Sequence, residues 1–344
     1  MAVNGKKDNM PSFNVVQQKA VDLMRADLRF LYTMLVNQHQ LKSNYVVSSM
    51  PYIGLVVDGI EDWINRYNNS SKTPLSLPVF SNIEREYYEE MRNAIKMWDL
   101  QYDEIYNRIK DLYERSETHF AKQCHPLARE LKLYDIYGVD IVNGEICGNT
   151  IMCAYYVPAF SFEEKCGEFI KEMATIAGKY IRLFDAQKAY SVNAEMQFMT
   201  KDYGGFIKSP LGHEFNDNFI LFSLLGQIQY LLICVDSYII EECSTKLRFE
   251  YILYYYLVAI IPSINERLNV SLTIDTQYHS ALFRNAMAHY SLGVALKPSE
   301  IIGSDPLGGL TQKYFDCEYN FLKNYITEQL NMLAKQIKSI LLMI

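Results

Sequence analysis

The sequence predicts a mainly α fold: a helical bundle carrying a small β-hairpin insert near residues 133–157. Three observations carry this expectation. Apolar residues recur at steps of three and four over several long stretches. Two C-terminal segments are deeply apolar yet punctuated by polar residues. One Asn-Gly dipeptide sits in a β-rich run, where it marks a hairpin.

Residues 14–38 have a helical pattern. A long helix is expected over 82–118, with the apolar stripe Tyr88, Met91, Ile95, Trp98, Tyr102, Ile105, Ile109 and Leu112. These steps form a heptad seam, which serves a dimeric coiled coil or packing against residues 14–38 or 44–67 of the same chain. In VDIVNGEICG, Asn143-Gly144 accepts the positive φ angles of a type I′ turn. A second strand pair is expected to follow through Gly148-Asn149 into TIMCAYYV, and helix returns over 161–186. Residues 201–217, KDYGGFIKSPLGHEFND, concentrate glycine, proline and polar groups. They divide an N-terminal helical region, 1–205, from a C-terminal bundle, 216–344. That bundle reads as helices over 216–242, 246–267, 275–293 and 313–342, with Gly308-Gly309 as a flexible linker.

The apolar run Phe219–Val235 is broken by Gln227 and Gln229 and followed by Asp236, so it reads as a buried bundle helix with no membrane partner. The formal net charge of −7 disfavours a surface that coats nucleic acid broadly, while leaving room for a local basic pocket. Seven cysteines are scattered without a C-x-x-C pair, which fits reduced thiols in a cytoplasmic protein. The opening MAVNGKKDNMPS lacks the apolar core of a signal peptide. No carboxylate cluster or HExxH motif suggests a metal, and no cofactor is expected. Lys246 and Arg248 read as a solvated helix turn, and His279 as a spectator.

The segment LFRNAMAHYSLG, residues 282–293, carries the chemistry. On a helical wheel Leu282, Phe283, Ala286, Met287 and Tyr290 share an arc that faces the core. Arg284, Asn285, Ala288 and His289 share the opposite arc, with Arg284 and His289 about 140° apart. Asn285 precedes His289 by one turn and can hydrogen-bond beside it. The result is a shallow groove with a permanent cation on one rim and a titratable imidazole on the other. Such a pair suits RNA cleavage by the 2′-hydroxyl. Histidine can move protons near neutral pH, and arginine matches phosphate oxygens and stabilises charge on phosphorus. One histidine does not readily serve both sides of a phosphate. A two-fold homodimer, closing on a seam of Ala281, Asn285, Ala288 and Leu292, would bring two copies together.

The run RNAMAHY resembles the signature of the HEPN superfamily: Arg, then a polar residue that is often Asn, then His after a short gap, often with Tyr behind. The match covers Arg284, Asn285, His289 and Tyr290, in a bundle of the helical character that the family shows. The resemblance implies a metal-independent endoribonuclease acting as a dimer, in toxin–antitoxin, abortive-infection or CRISPR-linked defence, with a regulatory protein or antitoxin as further partner. His289 would then be the acid/base and Arg284 the phosphate ligand. Asn285 would orient one of them, and Tyr290 would pack, its hydroxyl reaching a partner near the site. The alternatives are a catalytically silent HEPN module that binds RNA, nucleotide or protein through the same groove, and a structural oligomer built on the heptad helix.

Overall fold

The computed structural model describes residues 12–76, 78, 80–157, 166–205, 207–212 and 214–341. Over them the fold is mainly α with one small antiparallel sheet. The chain opens with α1 (Val15–Val36), α2 (Gln38–Ser48) and α3 (Met50–Ser70). A capping box starts α1: Asn14 Oδ1 accepts from the Val16 and Gln17 amides at 3.1 and 2.9 Å, and the Gln17 side chain accepts from the Asn14 amide.

The helix expected over 82–118 is broken in two. It comprises α4 (Asn82–Ile95), one 3₁₀ turn at Lys96–Asp99, and α5 (Tyr102–Gln123). Leu100 and Gln101 are extended, and the Trp98 indole turns inward to donate to the Gln227 side chain. The whole heptad stripe is buried. Its partner lies within the chain, because α4 packs along α3. Gly54 makes that approach possible: a Cβ there would sit 2.5 Å from the Arg92 backbone nitrogen.

Next come α6 (Pro126–Glu130) and the hairpin of β1 (Asp135–Val142) and β2 (Glu145–Asn149). Asn143 and Gly144 adopt φ of 50° and 85°, the two positive values that the turn requires. The second strand pair is absent, and α7 (Thr150–Tyr156) takes its place. The cause is local, since Asn149 Oδ1 accepts from the Met152 amide at 2.9 Å and caps a helix there. After α8 (Cys166–Leu183) comes β3 (Phe198–Gly204), drawn partly from the segment expected to be linker. It pairs antiparallel with β1, giving the order β2-β1-β3. The first residues of the helix expected from 161 lie outside the described residues.

The C-terminal helices are α9 (Asp217–Gln229), which runs into a π-helical stretch at Tyr230–Ser237, then α10 (Ser244–Leu268), α11 (Ala281–Ala288), α12 (Leu292–Ala295), α13 (Gly308–Phe315) and α14 (Tyr319–Leu341). The expected final helix is thus two, and its end at 342 lies outside the described residues. Gly308-Gly309 begins α13 rather than forming a flexible link. A Cβ at Gly309 would meet the Glu300 carbonyl at 2.4 Å, so the glycine serves close packing. Two stretches, Asp217–Ser237 and Ser244–Leu268, are long and apolar enough to cross a membrane, and 89 % and 72 % of their most apolar windows are buried inside the fold. Six cysteines are free thiols; the side chain of Cys166 lies outside the described residues. Buried side chains from Val16 to Ile337 form one contiguous core, so helices on either side of 201–217 pack together.

Candidate active site

The RNAMAHY run straddles the end of α11. Ser280 caps the helix, its Oγ accepting from the Phe283 amide at 3.3 Å. At the other end the Ser291 amide donates to the Ala286 carbonyl at 2.9 Å, and the Tyr290 amide to Met287 at 3.4 Å. This is a Schellman ending, with Tyr290 at φ 49° where glycine is usual. A bulky residue there costs about 1–2 kcal/mol. What holds it is a buried network. The Tyr290 hydroxyl donates to Asp27 Oδ2 at 2.7 Å, and Arg248 donates to the same oxygen at 2.6 Å. Arg248 also donates to the carbonyls of Met287 and Ala288 at 3.0 and 3.2 Å, and its guanidinium lies 4.4 Å from the Tyr290 ring centre. Asp27, Arg248 and Tyr290 are all fully buried. Arg248 is therefore a core residue rather than part of a solvated turn. Lys246 is buried too, its Nζ donating to the Ile239 carbonyl at 2.8 Å.

The wheel places Phe283, Ala286, Met287 and Tyr290 correctly in the core. Leu282, expected with them, is 67 % exposed. Ala288 and Leu292, expected on a dimer seam, are buried within the chain. Their burial leaves Ala281, Leu282 and Asn285 on the outer face. The helix is also shorter than the expected 275–293, because residues 275–280 form a loop tied to α10.

The helix end rests on α3 at Gly59, where a Cβ would lie 2.8 Å from the Ala288 carbonyl oxygen and 2.9 Å from the Tyr290 ring. That close seat brings His289 between α3 and α4. Its Nδ1 is 2.8 Å from Asp62 Oδ2, and its Nε2 is 2.9 Å from Arg92 Nη2. Arg92 also bonds Asp58, one helical turn before Asp62. An arginine can only donate, so Nε2 accepts and Nδ1 carries the proton that Asp62 receives. Burial and then the Arg92 charge lower the His289 pKa, against the pull of Asp62 and Asp58. The imidazole is therefore neutral at neutral pH. Burial raises the Asp58 carboxyl above its ordinary range despite Arg92.

Arg284 is half-buried. Its guanidinium lies 4.7 and 5.5 Å from the ring centres of Tyr255 and Tyr256. Its Nε is buried without a hydrogen-bond partner, and no carboxylate pairs with it among the described residues. Lys96 links the two halves of the site. Burial first, then the charges of Arg92 and Arg284, lower its pKa. Asp58 and Asp99 face the same ammonium and pull the other way, so Arg92, Lys96 and Arg284 stand in a mixed cluster of charge near His289. Asn285 is exposed and makes no side-chain hydrogen bond among the described residues; its backbone carbonyl accepts from the His289 amide.

Asp58, Asp62, Arg92 and Lys96 belong to the site without having been singled out in the sequence. One signal was present: Asp58 and Asp62 stand one turn apart, with Glu61 beside them, in the largely apolar run VVDGIEDWI. Arg92 and Lys96 stand in a helix dense with charge and carry no distinguishing mark. Among the described residues no group of three or more His, Cys, Asp or Glu is placed to hold a metal. No family model, curated protein or solved structure matches the chain.

Proposed function

We propose that the chain is a metal-independent endoribonuclease of the HEPN type. The observation that carries this reading is the placement of His289, oriented by Asp62 at one nitrogen and met by the Arg92 guanidinium at the other. The resemblance of RNAMAHY to the HEPN signature supports it. In the reaction, the RNA 2′-oxygen attacks phosphorus and its proton passes to His289 Nε2. Arg284 and Arg92 stabilise the charge that builds on the phosphoryl oxygens. The bond to the 5′-oxygen breaks, and that oxygen takes the Nε2 proton of the His289 of a second copy in a two-fold dimer, a copy that enters the step as the imidazolium and leaves it neutral. The same resemblance suggests a cytoplasmic toxin or phage-defence role with an antitoxin or regulator.

A second reading has its own support. Arg92 already occupies His289 Nε2, so both ring nitrogens are engaged within the chain. A silent HEPN module that binds RNA, nucleotide or a protein partner fits that closed state. The test is incubation of purified protein with single-stranded RNA, with and without chelator. His289→Ala and Arg284→Ala should each lower the cleavage rate by about 10²–10⁴-fold, the range for general acid–base catalysis. Products should end in a 2′,3′-cyclic phosphate, and 2′-deoxyribose at the cut position should block cleavage. RNA binding without cleavage would select the silent module. Cleavage that survives both substitutions and stops with chelator would overturn the site assignment.

A further inference from the structure

Beside Arg284 stands an aromatic pair that the proposed chemistry does not use. His279 stacks on Tyr255, with ring centres 4.3 Å apart and planes inclined by 19°. The Tyr255 ring is also the one nearest to the Arg284 guanidinium. His279 is exposed, and Tyr255 is the ring that covers it among the described residues.

The loop that holds His279 is fastened from several sides. Tyr251 of α10 donates to the Tyr278 carbonyl at 2.5 Å and accepts from the Ser280 amide at 3.0 Å. Tyr254 donates to the Asp275 carbonyl at 2.6 Å. The Asp275 amide is held by Gln329 of α14 at 3.0 Å, and Asp275 Oδ1 accepts from the Gln277 amide at 2.7 Å. An exposed imidazole that packs on one face and sits on a pinned loop has already lost most of its freedom. Binding a flat partner on its other face costs little further ordering.

We infer that Tyr255 and His279 form a base-stacking subsite for single-stranded RNA next to the phosphate contact at Arg284. The inference rests on the ribonuclease reading for its choice of ligand and adds to it where a flanking base lies. A nucleotide offers a π face and an anion side by side. Here a stacked imidazole stands beside a guanidinium that no carboxylate pairs with among the described residues. Eight-residue α11 is about 12 Å long, so a base on His279 sits within a few nucleotides of a phosphate at His289. Every base has a π face, so this subsite favours an unpaired base over a paired one rather than one base over another.

Binding can be read separately from cleavage with a short, fluorescently labelled 2′-O-methyl RNA, which lacks the attacking hydroxyl. Fluorescence anisotropy should show His279→Ala weakening binding by about 5- to 150-fold, the range for losing one base–aromatic stack. His279→Phe keeps a stacking face and should bind like the parent. Abasic sites placed one at a time should reproduce the loss at one position in the parent, and cause no further loss there in His279→Ala. RNA bound equally by parent and His279→Ala, or abasic losses that ignore this substitution, would overturn the subsite and leave the ribonuclease reading standing. A parent that neither binds nor cleaves RNA would overturn both.

Discussion

Replacing Arg248 with Met should be among the most destabilising single changes in this chain. The guanidinium is fully buried and makes one bond to Asp27 and one each to the carbonyls of Met287 and Ala288. Methionine fills much of the volume but donates nothing. Asp27 is left as a buried carboxyl with the Tyr290 hydroxyl and no cation. Breaking a buried pair by removing one partner costs about 3–5 kcal/mol. Against a total stability of about 5–15 kcal/mol, the urea midpoint followed by circular dichroism should fall by roughly a fifth or more. Tyr290→Phe removes a single hydrogen bond to a charged group and should cost less, about 1.5–3 kcal/mol. The double change Asp27→Leu with Arg248→Met removes both charges and should recover much of the loss, because the two residues form one network. The reasoning fails if Arg248→Met lies within about 1 kcal/mol of the parent, below the reported cost of an orphaned buried charge. It fails equally if the double variant is as unstable as the sum of the singles.

Three further outcomes follow from the geometry. Burial, then Asp236, push the Glu250 carboxyl up to about 8, and Glu242, Lys323 and Thr327 also face it. Between its ordinary pKa and 8 the unfolded chain gives up this proton while the folded one keeps it. Stability should therefore fall as pH rises through that window, by several kcal/mol in order of magnitude. Glu250→Gln should flatten the urea midpoint against pH over that range; an unchanged slope would count against it. Gly54→Ala should destabilise by about 1–3 kcal/mol, because the added methyl meets the α4 backbone. Gly178→Ala in α8, with open space around it, should stabilise slightly, and thermal melts showing the reverse order would contradict the packing. Proton NMR should find His289 titrating below its ordinary value, with Arg92→Gln raising that pKa and Asp62→Asn lowering it further. Titration above 6.5 in the parent would refute the account.

What the sequence exposed was periodicity and turn chemistry. The hairpin at Asn143-Gly144, the inward faces of Phe283 and Met287, and the buried heptad stripe all follow from local pattern. Breaks within a pattern were not legible. The stripe continues through Trp98 although the helix does not, because a 3₁₀ turn and two extended residues preserve the inward direction. Asn149 reads equally as a turn residue or a helix cap, and in the structure its Oδ1 takes the Met152 amide and makes it the cap. Charge in the core was illegible for a different reason. Arg248 looks like a surface residue until Asp27, 221 positions away, supplies the counter-charge, and Lys246 until the Ile239 carbonyl and Asp236 meet it. The site divides in the same way. Its α11 half is a compact motif, while its other half comes from α3 and α4 and depends on contacts that no local spacing encodes.

The contact between Arg92 and His289 bears on whether the site is closed for good. In the chain alone the guanidinium donates to a neutral ring nitrogen. The guanidinium is charged in either contact, but a phosphodiester adds a full opposite charge and can accept two parallel N–H bonds, so one entering beside Arg284 would compete with the ring for Arg92, which Asp58 already holds from the other side. Once Arg92 turns to the phosphate, Nε2 is bare and faces the atoms that need a base. Asp62 still holds Nδ1, so the ring keeps its tautomer through the exchange. The anion also offsets one of the two influences that depress the His289 pKa, moving it back towards neutrality, where a proton-transfer group works best. Substrate would thus open the site that the free chain keeps capped. The His289 titration measured with 2′-O-methyl RNA bound should accordingly lie above that of the free protein. A pKa unmoved by saturating RNA would mean that Arg92 stays on the ring, and would leave the silent binding module as the reading consistent with the geometry.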